Sequence, residues 1–148
     1  MLTVRGCDLD PALHYDIEHH MWHLPVDGGR LRLGMTAVAV ALAGEVLAFT
    51  PKRVGRRFEA QRSCATIESG KWVGPARACF AGTVTAINEA LMARPQLANR
   101  DPYGAGWMIE AQPDDPAATI LAGLVTGTAL AAAYEAWMLA ADFKGCDT

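Results

Sequence analysis

The chain has 148 residues, about half of them apolar and a fifth charged, with a formal net charge of −3, which is typical of one soluble globular domain with a real core. A net negative chain without a basic stripe cannot neutralise phosphates, which argues against nucleic-acid binding. The longest apolar-rich stretch, residues 120–141, is interrupted by glycine, threonine and glutamate, which argues against a membrane span.

The amino-terminal region predicts neither a targeting signal nor much regular structure. Acidic side chains interrupt any apolar run there, and a chain without a signal peptide is expected in the cytoplasm. Residues 1–13 are mainly polar, so we expect an N-terminal extension of low structural content. The folded domain is expected over residues 14–148.

Residues 14–26 are predicted to form a strand that enters a β-hairpin. Residues 27–29 are an Asp-Gly-Gly run, which is a strong hairpin-turn signal, and residues 30–33 alternate polar and apolar side chains as a returning strand does. The four histidines of this segment raise the alternative of a metal site. Strand alternation would place His19 and His23 on one face, and polar surface histidines are the preferred interpretation.

A short helix and a short strand are predicted next. Thr36 is expected to cap an alanine-rich helix over residues 37–42, which Gly44 ends. Residues 45–50 are expected to form a strand that stops at Pro51, since proline cannot continue a central strand.

The central feature of the sequence is a strand, a tight turn and a second strand over residues 64–75. β-branched residues precede the turn, and Trp72 and Val73 follow it. Gly70 between them tolerates turn dihedrals that cost other residues energy. Lys71 is therefore predicted at or beside the apex of a hairpin, with its stem in water and its amine within reach of a modifying enzyme.

The rest of the chain is predicted to contain two strands and three helices. The strands cover residues 83–87 and 107–111. The helices cover residues 89–93 after an Asn88 cap, residues 116–122, and a longer stretch from Thr126 or Thr128 to near Phe143. Short strands separated by glycine- and proline-marked turns favour a small sandwich or flattened barrel, so the predicted fold is mainly β with helices at the C-terminal end.

An ordered series of motifs resembles a known family. Residues 68–71 read Glu-Ser-Gly-Lys, and the matching runs that follow cover residues 88–91, 95–99 and 101–107. From about Trp22 to Trp137 the chain resembles the H-protein of the glycine cleavage system, a lipoyl carrier. The resemblance implies a lipoyl-domain-like flattened β-barrel or sandwich over residues 14–148, with C-terminal helices, and lipoate joined by an amide to Lys71. It also implies a carrier that is not itself an enzyme.

The residues that follow the lysine refine this expectation. The run Gly-Lys-Trp-Val-Gly-Pro at residues 70–75 departs from the family's usual small residue after the lysine. It resembles the lipoate-binding proteins of the heterodisulfide-reductase-like sulfur-oxidation system, which implies a cytoplasmic carrier of sulfur intermediates. The alternative is an H-protein that carries an aminomethyl group in glycine cleavage. The implied partners are a lipoate-protein ligase or lipoyl transferase, with either a heterodisulfide-reductase-like complex and dihydrolipoamide dehydrogenase or the glycine cleavage enzymes.

The neighbours of Lys71 are candidate parts of the cofactor-binding site. Glu68 and Ser69 are candidates for recognition by the lipoate-attaching enzyme, and Gly70 for shaping the turn. Trp72 is a candidate shield for the arm or contact for a partner, because aromatic residues are common interface anchors. The structural alternatives are a solvated Glu68, a turn hydrogen bond from Ser69, and a Trp72 that only packs on the hairpin.

The four cysteines have no C-x-x-C spacing, which argues against a zinc site or a dithiol motif, and reduced thiols are expected in the cytoplasm. With Gly70 and Lys71 as the central turn residues, Cys64 would oppose Arg77 and have Cys79 as a diagonal neighbour. Diagonal positions are about 7–8 Å apart, too far for an unstrained disulfide. Two buried structural thiols are predicted, with accessory thiols that meet the lipoyl sulfurs as the alternative.

Three rival interpretations stay open at this point. An enzyme would pair a Cys64 or Cys79 nucleophile with a base among the histidines of residues 14–23, but nothing in the spacing brings them together. A biotin carrier is disfavoured, because no methionine flanks Lys71. A degenerate, unmodified binding domain would keep the fold and lack the prosthetic group.

Overall fold

The computed structural model describes residues 1–146, which form three β-sheets and five α-helices. The strands are β1 Leu2–Val4, β2 Cys7–Leu9, β3 His14–Asp16, β4 Met21–Val26, β5 Arg30–Met35, β6 Val46–Pro51, β7 Arg57–Phe58, β8 Ser63–Ser69, β9 Val73–Arg77, β10 Gly82–Ile87 and β11 Ile109–Pro113. The helices are α1 Ala37–Ala43, α2 Glu89–Ala93, α3 Leu97–Arg100, α4 Ala117–Ala122 and α5 Ala129–Ala140. A short 3₁₀ turn, Asp27–Gly29, joins β4 to β5 where the sequence predicts a hairpin turn.

Two antiparallel sheets share the main hydrophobic core. One has six strands in the order β3-β4-β5-β11-β10-β7, and the other has three in the order β6-β8-β9. Leu33 and Ile109 of the first sheet and Ile67 of the second are buried in the same cluster. Within residues 1–146 the sheets do not close on themselves, so the molecule is a flattened sandwich. The predicted mainly-β fold with helices is confirmed, in its sandwich form.

The amino-terminal residues are folded, so the expectation of low structural content in residues 1–13 was wrong. Strands β1 and β2 pair as a hairpin, and alternate apolar side chains on it face one direction. Those side chains share a second core with α5, to which Leu130, Tyr134 and Met138 contribute. Helix α5 lies more than a hundred residues away in sequence, so no local pattern indicates this packing. The division of the chain at residue 13 stays a prediction.

A disulfide joins Cys7 of β2 to Cys146, and the two residues are 139 apart in sequence. The amide of Cys146 also donates to the carbonyl oxygen of Arg5 at 3.0 Å. The expectation of four reduced thiols was therefore wrong for this pair. The two cysteines meet because the β1–β2 hairpin packs on α5, which brings both ends of the chain together. Cys64 and Cys79 are free, as predicted.

The histidine-rich segment forms two strands, whereas the sequence predicts one. β3 and β4 pair antiparallel with His14 opposite His23, and the residues between them make a turn. His20 in that turn has a φ of 56°, an uncommon backbone conformation for a residue other than glycine. This turn places residues 18–20 where they line the groove described below.

The helix caps were predicted with mixed success. Thr36 Oγ1 accepts a hydrogen bond from the Ala39 amide at 3.2 Å, and Gly44 ends α1 with a φ of 84°, both as predicted. The side chain of Asn88 makes no cap hydrogen bond to α2. Its side-chain amide donates instead to the carbonyl oxygens of Ala105 and Trp107, each at 2.7 Å, and so ties down the loop before β11. None of the helices in the described part of the chain is long and apolar enough to cross a membrane.

Candidate functional site

Lys71 lies at the tip of the β8–β9 hairpin. Glu68 is opposite Val73 in the strand register, and the Ser69 amide donates to the carbonyl oxygen of Trp72 at 2.7 Å. These contacts leave Gly70 and Lys71 as the two central residues of the turn, as the sequence predicts. Because β8 is the middle strand of its sheet, the tip has a stiff support on both sides.

The side chain of Lys71 is exposed, and its ammonium group has no ion pair within residues 1–146. The stem does not extend freely into water, because it lies against the residue that ends α1. A Cβ at Gly44 would lie 3.1 Å from Lys71 Cε and 3.8 Å from Nζ. The missing side chain of Gly44 therefore leaves room for the lysine, and its φ of 84° favours glycine independently.

Ser69 stabilises the turn from its inner side. Its side chain is buried, and Oγ donates to the carbonyl oxygen of Trp72 at 3.2 Å and accepts from the Lys71 amide at 3.4 Å. Glu68 points to the outer, exposed face of β8. Gly70 has no positive φ, and a Cβ there would meet nothing within 4 Å. Gly70 therefore does not use the dihedral freedom that glycine offers in a turn.

Trp72 both packs on the hairpin and faces the solvent. Its indole ring covers Gly74, and a Cβ at residue 74 would displace the ring from this position. The side chain is nevertheless 41% exposed, and the neighbouring Val73 is 63% exposed. The tip of the hairpin therefore presents apolar surface beside Lys71.

A groove of about 440 Å³ begins at Trp72. It is lined by β9, by the carboxyl-terminal half of α1 and by the turn between β3 and β4. Most of its lining is apolar, with Ile67, Met21 and Met35 among the contributors, and Glu18 and Arg77 add charge. No periodicity in the sequence indicates this groove, because its sides come from three separate parts of the chain.

The turn between β3 and β4 is held by polar contacts. His19 Nδ1 lies 2.8 Å from Asp16 Oδ2, and His20 Nδ1 lies 3.1 Å from the Tyr134 hydroxyl oxygen of α5. Burial lowers the pKa of His20 to about 4, so its imidazole is neutral at neutral pH. In the described part of the chain, one group of three metal-ligating side chains lies close enough together to hold an ion, namely Asp16, Glu18 and His19. His23 is not part of this group, so the structure does not form a metal site that contains both His19 and His23.

A register shift in β8 changes the expected environment of Cys64. Ser63 is opposite Arg77 and Ala65 is opposite Ala76, so Cys64 lies in the irregularity between them and does not oppose Arg77 as predicted. Cys64 is fully buried, and burial raises the pKa of its thiol to about 12. It is a structural thiol, as the sequence predicts.

Cys79 has a different environment from Cys64. It lies in the bend after β9, is only partly buried, and has its Sγ 3.7 Å from Nε2 of the fully buried His23. The prediction of a fully buried thiol was therefore wrong for Cys79. The sequence contains both a candidate thiol and candidate histidine bases, but 56 residues separate this pair and no spacing indicates their contact.

Comparison with known proteins gives consistent matches over most of the chain. Residues 13–136 match the family model described as Glycine cleavage H-protein. Glycine cleavage system H protein 5 of Aquifex aeolicus is 44% identical over 120 residues, which are 78% of this chain and 80% of the relative. The glycine cleavage system H protein of Mycobacterium avium is 39% identical over 128 residues, which are 86% of this chain and 95% of the relative. The crystal structure of a glycine cleavage system H protein from Mycobacterium marinum has a TM-score of 0.71 at 28% identity, covering 86% of this chain and 99% of that chain.

Proposed function

The chain belongs to the family of glycine cleavage H-proteins, which are non-catalytic carriers of lipoate on a lysine, and we propose that Lys71 is its lipoyl lysine. The observation that carries the proposal is the position of Lys71 at the exposed tip of a hairpin in the middle of the matched range. The two other lysines lack this setting. Lys52 follows β6 in a connecting segment, and the ammonium group of Lys144 pairs with Asp142 at 2.8 Å.

The residues around the tip fit a prosthetic group attached there. Attachment needs an amine that an enzyme can reach, and the Lys71 side chain is exposed without an ion pair in the described part of the chain. Amide formation removes the positive charge, and no carboxylate contact is lost when it does. Ser69 holds the turn in shape, and the groove beside Trp72 offers apolar surface to the far end of an attached arm.

Lipoate on Lys71 would supply a dithiolane that accepts a cargo from one enzyme and presents it to the next. The contribution of the protein is to hold this arm on a stiff support, which raises the effective concentration of the cargo at each partner's active site. Glu68 and Trp72, exposed on either side of the tip, are the side chains we propose that a lipoate-protein ligase or lipoyl transferase contacts.

Intact-mass measurement tests the attachment site. After expression with lipoate and a lipoate-attaching enzyme, we expect a mass increase of one lipoyl amide, located on the peptide that contains Lys71. Lys71→Arg should abolish the increase, while Lys52→Arg and Lys144→Arg should keep it. A modification that survives in Lys71→Arg, or that lies on either other lysine, would overturn the proposal.

We propose an aminomethyl group, carried in the glycine cleavage reaction, as the cargo. The names of the relatives support this choice, since the relatives from both Aquifex aeolicus and Mycobacterium avium are named for glycine cleavage. The partners would then be the glycine cleavage enzymes, acting in the cytoplasm. The test is incubation of the lipoylated protein with glycine and the glycine-decarboxylating enzyme, with mass spectrometry of the carrier as the readout.

A second candidate cargo is a sulfur intermediate, delivered to a heterodisulfide-reductase-like complex with dihydrolipoamide dehydrogenase as a further partner. The specific observation in its favour is the turn Gly-Lys-Trp-Val-Gly-Pro, in which the Trp72 ring covers Gly74 and widens the apolar surface at the tip. The Aquifex aeolicus relative is named H protein 5, which implies that this organism has several H proteins. Several H proteins in one organism are compatible with more than one cargo.

The two cargoes are separated by one experiment with two arms. The carrier with its lipoyl group oxidised to the dithiolane is incubated with glycine and the decarboxylating enzyme. The carrier with its lipoyl group reduced to the dithiol is incubated with a small persulfide donor R–S–SH, whose outer sulfur passes to a lipoyl thiol while R–SH leaves. The mass of the peptide that contains Lys71 is measured in both arms. A gain of one aminomethyl group only in the first arm supports glycine cleavage. A gain of sulfur only in the second arm supports the sulfur candidate and rejects the aminomethyl cargo.

A further inference from the structure

A compact basic surface lies at one end of the three-stranded sheet. Lys52 follows β6, Arg62 precedes β8, and Arg77 is the last residue of β9. These antiparallel strands are neighbours in the order β6-β8-β9, about 4.8 Å apart, so the three cationic residues share one end of the sheet. Arg53 and Arg56 extend the surface in the loop after β6. We call these five residues the basic end.

The cations of the basic end are not neutralised by ion pairs. The chain has 13 lysines and arginines, and those that pair with a carboxylate within residues 1–146 are Arg5, Arg30, Arg32, Arg57 and Lys144. The basic end holds five of the remaining eight. Between residues 52 and 62 the sequence has five cations and one acidic residue, Glu59. A chain with a net charge of −3 therefore concentrates its unpaired positive charge in one place.

Backbone hydrogen bonds fix the segments that carry these cations. The Lys52 amide donates to the carbonyl oxygen of Cys64 at 3.0 Å, which continues the pairing of β6 with β8. In the loop that follows, the Gly55 amide donates to the carbonyl oxygen of Val84 at 2.8 Å. The surface is therefore ordered before a partner binds, which lowers the entropy cost of association.

An exposed apolar side chain lies among the cations. Val54 follows Arg53 in the loop and is 56% exposed. Arginines around an apolar contact are typical of protein–protein interfaces, in which arginine is enriched. A nucleic-acid surface has a basic stripe that follows the phosphates, whereas the basic end is compact. The chemistry therefore favours a protein surface that presents carboxylates around an apolar side chain.

The opposite end of the same sheet is acidic apart from Lys71. Glu68 is exposed near the end of β8, and Glu45 is exposed just before Val46, which is opposite Ser69. An amide at Lys71 would remove the positive charge there. The seven residues of β8 separate the two ends by about 20 Å, at about 3.3 Å per residue. The basic end and the Lys71 tip can therefore contact two different proteins.

We propose that the basic end is a second docking surface, which binds an acidic protein surface and leaves the Lys71 tip free. Opposite charge steers the partner to this end, and like charge disfavours its binding at the tip. A partner bound there keeps the carrier near the enzymes that its arm serves, which raises the effective concentration of the arm. This inference goes beyond the proposed carrier function, and the docking does not require the lipoyl group.

The test measures binding of two acidic peptides to the full-length Lys71→Arg protein, which keeps the charge at residue 71 and has no amine there for lipoate. Failure of the carrier proposal therefore leaves this test unaffected. The fluorescent peptides have about ten glutamates each and differ only at the central residue, which is leucine in one and serine in the other. Fluorescence anisotropy at about 50 mM salt, where screening is weak, gives the dissociation constants. We expect the leucine peptide to bind at least about threefold more tightly, because it buries apolar surface.

Matched variants assign the binding to the basic end. Arg53→Gln/Arg56→Gln should weaken the binding of both peptides at least about tenfold, because it removes two unpaired cations. Arg94→Gln/Arg100→Gln removes the same charge from two exposed arginines elsewhere and should change affinity less than about twofold. Val54→Ser should abolish the preference for the leucine peptide. All five side chains are exposed, and equal urea midpoints check that the variants are folded.

Amide NMR shifts locate the bound peptide on the protein. We expect the leucine peptide to shift the amide signals of residues 52–56, 62 and 77. The amide signals of residues 68–73, at the Lys71 tip, should stay unchanged. This readout needs no substitution in the basic end.

Four results would overturn the proposal. The first is no binding of either peptide at about 1 mM, and the second is an equal loss of affinity in the two double arginine variants. The third is a shift of the amide signals at the Lys71 tip. The fourth is equal affinity for the leucine and serine peptides together with tighter binding of a single-stranded oligonucleotide of the same length, which would make the basic end a surface for polyanions.

Discussion

Removal of the Cys7–Cys146 disulfide is expected to lower the free energy of unfolding by as much as about 5 kcal/mol. The two cysteines are 139 residues apart in sequence, so the bond closes nearly the whole chain into one loop. In the chain-entropy model a 100-residue loop contributes about 4.7 kcal/mol, and the contribution grows with the logarithm of loop length, which gives about 5 kcal/mol here. Residual structure in the unfolded chain reduces this gain, so the measured loss should lie between about 2 and 5 kcal/mol.

The assay is urea unfolding of the oxidised protein, the reduced protein, Cys146→Ser and the double variant Cys7→Ser/Cys146→Ser. The loss should be similar in the reduced protein and in Cys146→Ser, since either change removes the same cross-link. The double variant should lose somewhat more, because Cys7 is fully buried and serine places a hydroxyl in the second core. Reductant should have no further effect on Cys146→Ser, which makes that variant the control for the reductant itself.

The reasoning is refuted if full reduction, verified by a mass gain of two hydrogens, leaves the urea midpoint unchanged. It is also refuted if Cys146→Ser loses no stability compared with the oxidised protein. In either case the β1–β2 hairpin would be held by its packing on α5 alone, and the cross-link would contribute nothing measurable.

Three further predictions concern buried histidines and glycines. Burial lowers the pKa values of His20 and His23 to about 4, so below about pH 6.5 the unfolded chain binds more protons than the folded protein. The free energy of unfolding, measured with urea, should therefore be constant above pH 6.5 and fall between pH 6.5 and 4, by at most about 1.4 kcal/mol per pH unit for each histidine. The fall should be shallower in His20→Gln, which has one of the two histidines removed. A constant midpoint across that range would contradict the assignment of buried neutral imidazoles. Gly34→Ala should lower the free energy of unfolding by about 1–3 kcal/mol in the same assay, because the new Cβ would lie 2.5 Å from the ring of Trp22, which is buried and donates to the Pro102 carbonyl oxygen. Gly123→Ala is the matched control and should be nearly neutral, because the nearest atom to a Cβ at residue 123 is 3.6 Å away. Gly70→Ala should leave lipoylation, read by intact mass, and stability nearly unchanged, because the position is open and has no positive φ; a loss of more than about 1 kcal/mol would show that the turn needs glycine after all.

Much of the Lys71 site could be predicted because its determinants lie within a few residues of one another. The pairing of Ser69 with Trp72 across a two-residue turn follows from strand-forming residues on both sides of a polar pair. The same holds for Thr36 and Gly44 at the ends of α1, where the backbone groups to be satisfied are three or four residues away. Gly70 shows what such a local signal leaves open, since a glycine in a turn permits a positive φ without requiring it, and the φ of Gly70 is not positive.

The pattern of residues along the chain was enough to identify the family, the mainly-β class and a lysine held at the tip of a hairpin, because strand alternation, turns and caps act over short distances. Only the tertiary structure decided which distant groups meet: Cys7 with Cys146, Cys79 with His23, and the three segments that line the groove. Those contacts depend on the order of strands in the sheets and on the docking of α5, to which many weak apolar contacts contribute together. No single residue carries that information, and a register shift of one residue, as at Cys64, is enough to change which side chains face each other.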